Sequence, residues 1–157
     1  MTCIERVPTE GGPAVRLRCE AANMAVSSDG STIDFAPQLS RPGEIRKAQP
    51  ENGSSQPFAY VAPSRIPFVP QGYALFPDDH WLAMPLKDAG TTNIWAIPTD
   101  GGPMRQFTDF GQRPTLIARQ VSWSPDGKFI YAAVVETDAD IVLLDGLLQP
   151  ELCTELS

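Results

Sequence analysis

His80 is the only histidine of the chain, and it follows two aspartates, Asp78 and Asp79. A carboxylate beside an imidazole is the start of a charge-relay pair or of a metal site. Neither chemistry closes here. A relay needs a nucleophile, and Ser27, Ser28 and Ser124 lie in no Gly-x-Ser-x-Gly phrase. A metal needs a third ligand at a suitable spacing, and two adjacent carboxylates with one imidazole do not supply it. Asp78-Asp79-His80 therefore reads as a turn beside solvent. Glu136, Asp138 and Asp140 alternate as in a calcium loop, but the Gly and terminal Glu of that pattern are missing. Asp78 with Asp79, and Asp138 with Asp140, are the nearest carboxylate pairs; the first is expected solvated on a turn, and the second lies in a loop with no predicted apolar wall to raise either pKa. Cys3, Cys19 and Cys153 are too few for a disulfide scaffold and not at metal spacing. The residues thus predict no hydrolase, transferase or redox activity, no metal and no cofactor.

Trp81, Trp95 and Trp123 fall on predicted strands. They suit a stacking platform for sugar or peptide, or the filling of space between packed sheets, and the second reading is preferred. Arg16, Arg18, Arg41, Arg46 and Lys47 are scattered and read as a solvated face.

The elements that must carry these residues are short. Sixteen Pro and 12 Gly in 157 residues exceed average usage and exclude long helices and rods. Hydrophobic residues make up 42% and charged residues 20%, enough for a packed core. Twelve Lys+Arg against 19 Asp+Glu leave a net charge of −7, which disfavours nucleic acid as a partner. No window approaches a membrane span, and Met1 to Cys19 lacks the pattern of a signal peptide.

Two phrases recur. Ile4-Glu5-Arg6-Val7-Pro8-Thr9-Glu10-Gly11-Gly12-Pro13 returns as Ile94-Trp95-Ala96-Ile97-Pro98-Thr99-Asp100-Gly101-Gly102-Pro103. A degenerate copy runs from Ile45 to Gly53. The second phrase is a turn between apolar runs: Ser27-Ser28-Asp29-Gly30, Phe76-Pro77-Asp78-Asp79 and Ser124-Pro125-Asp126-Gly127. Its aspartates lie about 48 to 49 residues apart, within the range of four-stranded propeller blades. Pro presets φ, Asp bonds the backbone ahead and Gly takes φ > 0, so each phrase is a hairpin turn with a mechanism. Asp79 replaces the glycine of the middle copy, and Asp enters the left-handed region less readily. The structural turn residues are Asp29, Gly30, Asp78, Asp126 and Gly127 in one phrase, and Gly11, Gly12, Gly101 and Gly102 in the other.

The predicted fold is all-β: antiparallel four-stranded propeller blades, about three of them, in an incomplete, open ring. A half blade covers about 3–18. Full blades cover about 23–61 and 72–108. An incomplete blade covers about 119–145, and a tail 146–157 follows. Val26, Ile33, Phe35, Phe76, Leu82, Ile94, Ile97, Phe107, Val121, Trp123, Ile130 and Val142 are expected to face inward. If the first hairpin turns about Gly11, Cys3 and Cys19 stand opposite each other, within reach of a disulfide.

The repeat of an apolar strand, Ser-Pro-Asp-Gly, a second strand, Ile94 to Gly102 and Phe107-Thr108 resembles the TolB-type, WD-repeat-like β-propeller repeat. The resemblance covers roughly residues 3–145. It implies interaction hubs of the periplasm, or sensor-like propellers on bacterial Ser/Thr kinases and winged-helix regulators, and an extracytoplasmic location. Related propellers gate prolyl-oligopeptidase-like peptidases, the alternative reading. The chain is expected to be the C-terminal part of a larger propeller, with protein or small-ligand partners and a tendency to self-associate through its open flanks. The Pro-rich loop from Val61 to Gly72 departs most from the repeat and is the expected binding loop.

Overall fold

A computed structural model describes residues 2–37, 42–50, 54–67 and 72–136. Twelve strands and one 3-10 turn are present among them. Strands β1 (Cys3–Arg6) and β2 (Val15–Cys19) form an N-terminal hairpin. Strands β3 (Ala21–Val26), β4 (Ile33–Pro37), β5 (Glu44–Ala48) and β6 (Ser55–Tyr60) form a four-stranded sheet in chain order. A second such sheet contains β7 (Ala74–Leu75), β8 (Trp81–Asp88), β9 (Thr91–Pro98) and β10 (Arg105–Gln106). Strands β11 (Thr115–Trp123) and β12 (Ile130–Glu136) form the last pair. All strand pairs are antiparallel, and the sheets do not close into a ring.

The core lies between sheets, because each sheet has two apolar faces that need cover. Ala25, Ile45 and Val61 of the first sheet side pack with Tyr73, Leu82, Met84, Leu86 and Ile97 of the second. Ala83 and Ile94, on the opposite face of the second sheet, pack with Ile117 and Val121 of β11. Ile4 and Leu17 of the hairpin close on Ala21, Ile33 and Phe35. A parallel bridge, Gly72 to Gln120, joins the inner edges of the last two sheets. The backbones approach so closely that a Cβ at Gly72 would stand 2.9 Å from that of Gln120.

Several details differ from the sequence reading. Val26 does not face inward; it is 46% exposed. It shares a face with Ile33, but the hairpin covers only the Ala21 end of β3 among the described residues. Phe107, Trp123 and Ile130 are half-buried but pack on the core as expected, and Phe76 packs against Trp123. Strands β8 and β9 run further than expected because Ala89 and Gly90 (φ 45° and 95°) make a two-residue hairpin turn between them. Strand β11 starts at Thr115, not near 119, because Thr115 to Ala118 pair with the end of β12 beyond a bulge. The end of the predicted incomplete blade after Glu136, Val142, the tail 146–157, Arg41, Asp138, Asp140, Cys153, the turn at Glu51 to Gly53 and residues 68–71 of the expected binding loop lie outside the described residues.

Candidate interaction surface

The three Asp turns have one geometry. In each, the fourth residue donates its N–H to the carbonyl of the first: Gly30 to Ser27 at 2.9 Å, Asp79 to Phe76 at 2.8 Å, Gly127 to Ser124 at 2.9 Å. That fourth residue has φ of 72°, 61° and 68° respectively. The aspartate of each turn accepts the N–H two residues on, from Ser31, His80 and Lys128. The Gly-Gly turns also match. Gly11 donates to the Pro8 carbonyl and Gly101 to that of Pro98, with φ of 89° at both.

Ser27 and Ser124 hold their aspartates through Oγ at 2.7 and 2.6 Å, and each hydroxyl also accepts a backbone N–H five residues on. These bonds favour the carboxylate. The Ser31 N–H and the Ser27 hydroxyl hold Asp29 down to about pKa 2. The Ser124 hydroxyl, then the Lys128 N–H, lower Asp126 as well. The middle turn has Phe76 in place of that serine, and its departures point outward. Asp79 reaches Ser28 of the first turn, and the Phe76 ring lies against Gly127 and Trp123 of the third.

The sheets thus share equivalent turns, each in contact with the next. A solved structure of TolB from Acinetobacter baumannii is similar to this chain with a TM-score of 0.60 and 15% sequence identity. The fold is that of a β-propeller. The similarity covers 80% of this chain and 30% of that structure, so the chain spans less than a third of the TolB chain's length. No protein-family model and no curated protein match the chain. Below, the two four-stranded sheets are called the first and second blades, and the pair β11 and β12 the third.

Grooves open between consecutive blades at the end where these turns lie. The groove between the second and third blades has a volume of about 530 Å³ and is lined by Phe76, Trp81, Arg105, Phe107, Trp123 and Lys128, among others. Trp123 meets Phe76 and Phe107 edge-on, with centroids 4.8 and 5.5 Å apart, and donates its indole N–H to the Ala74 carbonyl at 3.0 Å. The Arg105 guanidinium lies 4.6 Å over Trp81 and 4.9 Å over Phe107. The equivalent groove between the first and second blades, about 580 Å³, is lined by Thr32, Lys47, Gln56, Phe58, Thr99 and Asp100, among others. There Lys47 lies 5.6 Å from the Phe58 centroid.

Asp34 and Lys47 pair across β4 and β5 where the second blade has Ala83 and Ala96. Asp34 is buried, and neither carboxylate oxygen has a hydrogen-bond partner. Burial raises its pKa to about 6; Lys47 opposes that shift and Asp79 adds to it. Sequence reasoning missed Asp34, although a charge between Ile33 and Phe35 in a strand buried on both faces was a signal.

The other candidates are placed as follows. His80 is exposed, and its backbone N–H bonds Asp78 Oδ1 at 2.9 Å. Among the described residues no group of three His, Cys, Asp or Glu can hold a metal, and no helix is long and apolar enough to cross a membrane. Trp95 stacks under Arg65 at 4.3 Å and donates to Asp88 Oδ2 at 2.8 Å, while Arg65 pairs with Asp88 Oδ1 at 2.7 Å. The loop after Val61 is therefore tied to the second blade through Arg65. Arg16 pairs with Glu5, Arg46 with Glu44, and Arg18 covers Phe35. Cys3 and Cys19 are bonded as a disulfide.

Proposed function

We propose that this chain is a non-catalytic interaction segment of a β-propeller, the C-terminal part of a larger bacterial signalling or envelope protein. One observation carries the reading. Asp34, Ala83 and Tyr131 occupy the same place in three successive blades, opposite Ala25, Ala74 and Ser122. Their exposures are 1%, 0% and 62%. The first two are covered by the next blade. Tyr131 stands on a face with Leu116 and Val135, both also exposed, in the position where another blade would pack. Such a face favours docking, on further blades of the same protein or on a second copy of this chain.

Sedimentation velocity over a wide range of protein concentration tests the reading. The sedimentation coefficient is expected to rise with concentration, and Tyr131→Lys is expected to hold the chain monomeric. A compact monomer at every concentration, unchanged by Tyr131→Lys, overturns docking through this face. Turnover of a peptide or ester substrate that vanished in His80→Ala would overturn the non-catalytic reading.

A further inference from the structure

The two inter-blade grooves differ in what their cations do. Lys47 Nζ donates to the Thr99 carbonyl at 3.4 Å and its charge faces Asp34. Arg105 occupies the second groove with its guanidinium over Trp81 and Phe107 and, among the described residues, has no acceptor for its N–H groups. Stacking uses the faces of a guanidinium and leaves its edge for a planar, two-oxygen acceptor. Asp78 and Lys128 also line the groove; Asp78 accepts the His80 N–H with one oxygen and keeps its charge, and Lys128 lies 3.5 Å from Asp126. Trp81, Phe107, Trp123 and Phe76 supply an apolar floor beside that edge.

We propose that this groove binds a partner peptide in which a carboxylate side chain sits next to an apolar one. The carboxylate takes the Arg105 edge in a fork, and the apolar neighbour packs on Trp81 and Trp123. The net charge of −7 and the Asp78 carboxylate in the groove wall disfavour a polyanion, whereas a single carboxylate can take the one guanidinium edge. The proposal rests on the interaction reading above and names its ligand class.

The test uses the whole chain and two synthetic peptides, acetyl-Gly-Phe-Asp-Leu-Gly-amide and the same peptide with Asn for Asp. Binding is followed by calorimetry and by tryptophan fluorescence, with Trp95→Phe as the background so that Trp81 and Trp123 report. The Asp peptide is expected to bind at least tenfold tighter than the Asn peptide. Arg105→Gln is expected to remove that preference. Arg105→Lys, which keeps the charge and the stem but not the fork, is expected to retain only part of it. Circular dichroism of each variant controls for folding. Equal affinity for both peptides, no binding of either, or a preference that survives Arg105→Gln overturns the proposal. Occupation of the groove by the chain's own acidic residues after Glu136, seen as Asp-peptide binding that appears only when residues 137–157 are deleted, overturns it as well. Failure of this test with concentration-dependent association intact leaves the blade-docking reading standing.

Discussion

The carboxylate of Asp79 grips Ser28 from 51 residues away. Both oxygens accept the Ser28 N–H at 3.0 Å, and Oδ2 accepts the Ser28 hydroxyl at 2.6 Å. Asp79 holds φ of 61°, where its counterparts in the neighbouring turns are glycines. A residue that is locally unfavourable in its own turn therefore joins two blades. Asp79→Ala is expected to lower stability by about 1–2 kcal/mol, since it loses the bonds and keeps the unfavourable φ. Asp79→Gly loses the same bonds but relieves the backbone, so it should fall between Ala and the native chain. Urea unfolding of the three proteins checks the order.

Gly30 and Gly127 occupy one turn position and have φ of 72° and 68°. A Cβ on Gly30 meets nothing within 4 Å, whereas one on Gly127 would stand 2.5 Å from the Phe76 ring. Gly30→Ala is expected to cost about 1–2 kcal/mol, the strain of the left-handed region alone. Gly127→Ala should cost clearly more, and Gly127→Ala with Phe76→Ser should recover part of the excess. Thermal melts of the three variants provide the comparison.

Asp34 has a folded pKa raised from 3.8 to about 6. Between those values the folded chain holds a proton that the unfolded chain has released. Its contribution is therefore complete below pH 3.8 and is lost as pH rises to about 6. Asp34→Asn is expected to stabilise the chain by about 2–3 kcal/mol at pH 7.5 and to have little effect near pH 3.5. A gain that did not depend on pH would show that charge burial is not its source.

Asp29 behaves in the opposite sense, its pKa lowered to about 2 by the Ser31 N–H and the Ser27 hydroxyl. The stability it confers is present above pH 3.8 and declines as pH falls towards 2. Ser27→Ala is expected to move the Asp29 midpoint upward in a carboxyl-carbon NMR titration, with Asp126 unmoved.

The Cys3–Cys19 bond closes a hairpin with a separation of 16 residues. Chain-entropy arguments give such a loop about 3 kcal/mol. Under denaturing, non-reducing conditions one thiol per chain, that of Cys153, is expected to react with a maleimide. Cys3→Ser should expose a second thiol and lower the urea midpoint.

The propeller architecture was legible because its turns are written in residues with narrow backbone preferences. Asp-Gly after a strand leaves few alternatives, and the near-constant interval between Asp29, Asp78 and Asp126 orders the turns into blades. Strand lengths were less legible. The Asp88-Ala89-Gly90 turn is short, and its one non-glycine φ of 45° at Ala89 has no strong residue preference behind it. The exposure of Val26 depends on what covers a neighbouring sheet, and hydrophobicity alone does not say that. The grooves were not legible at all. Trp81, Arg105 and Trp123 come together only when blades stack, and nothing in their spacing marks Arg105 as the cation laid over two rings.

Among the described residues, substantial contacts between sheets run only between sequence neighbours, from β1 to β3, β3 to β7 and β7 through β9 to β11. The free energy of such an array is a sum of blade terms and interface terms, as in a one-dimensional chain of coupled units. The second blade has a neighbour on each side, and its strands β8 and β9 make the longest ladder. The third has a described neighbour on one side only. Opening is then expected to begin at the ends of the described array and to reach β8 and β9 last, so that the slowest amide exchange is expected in those two strands.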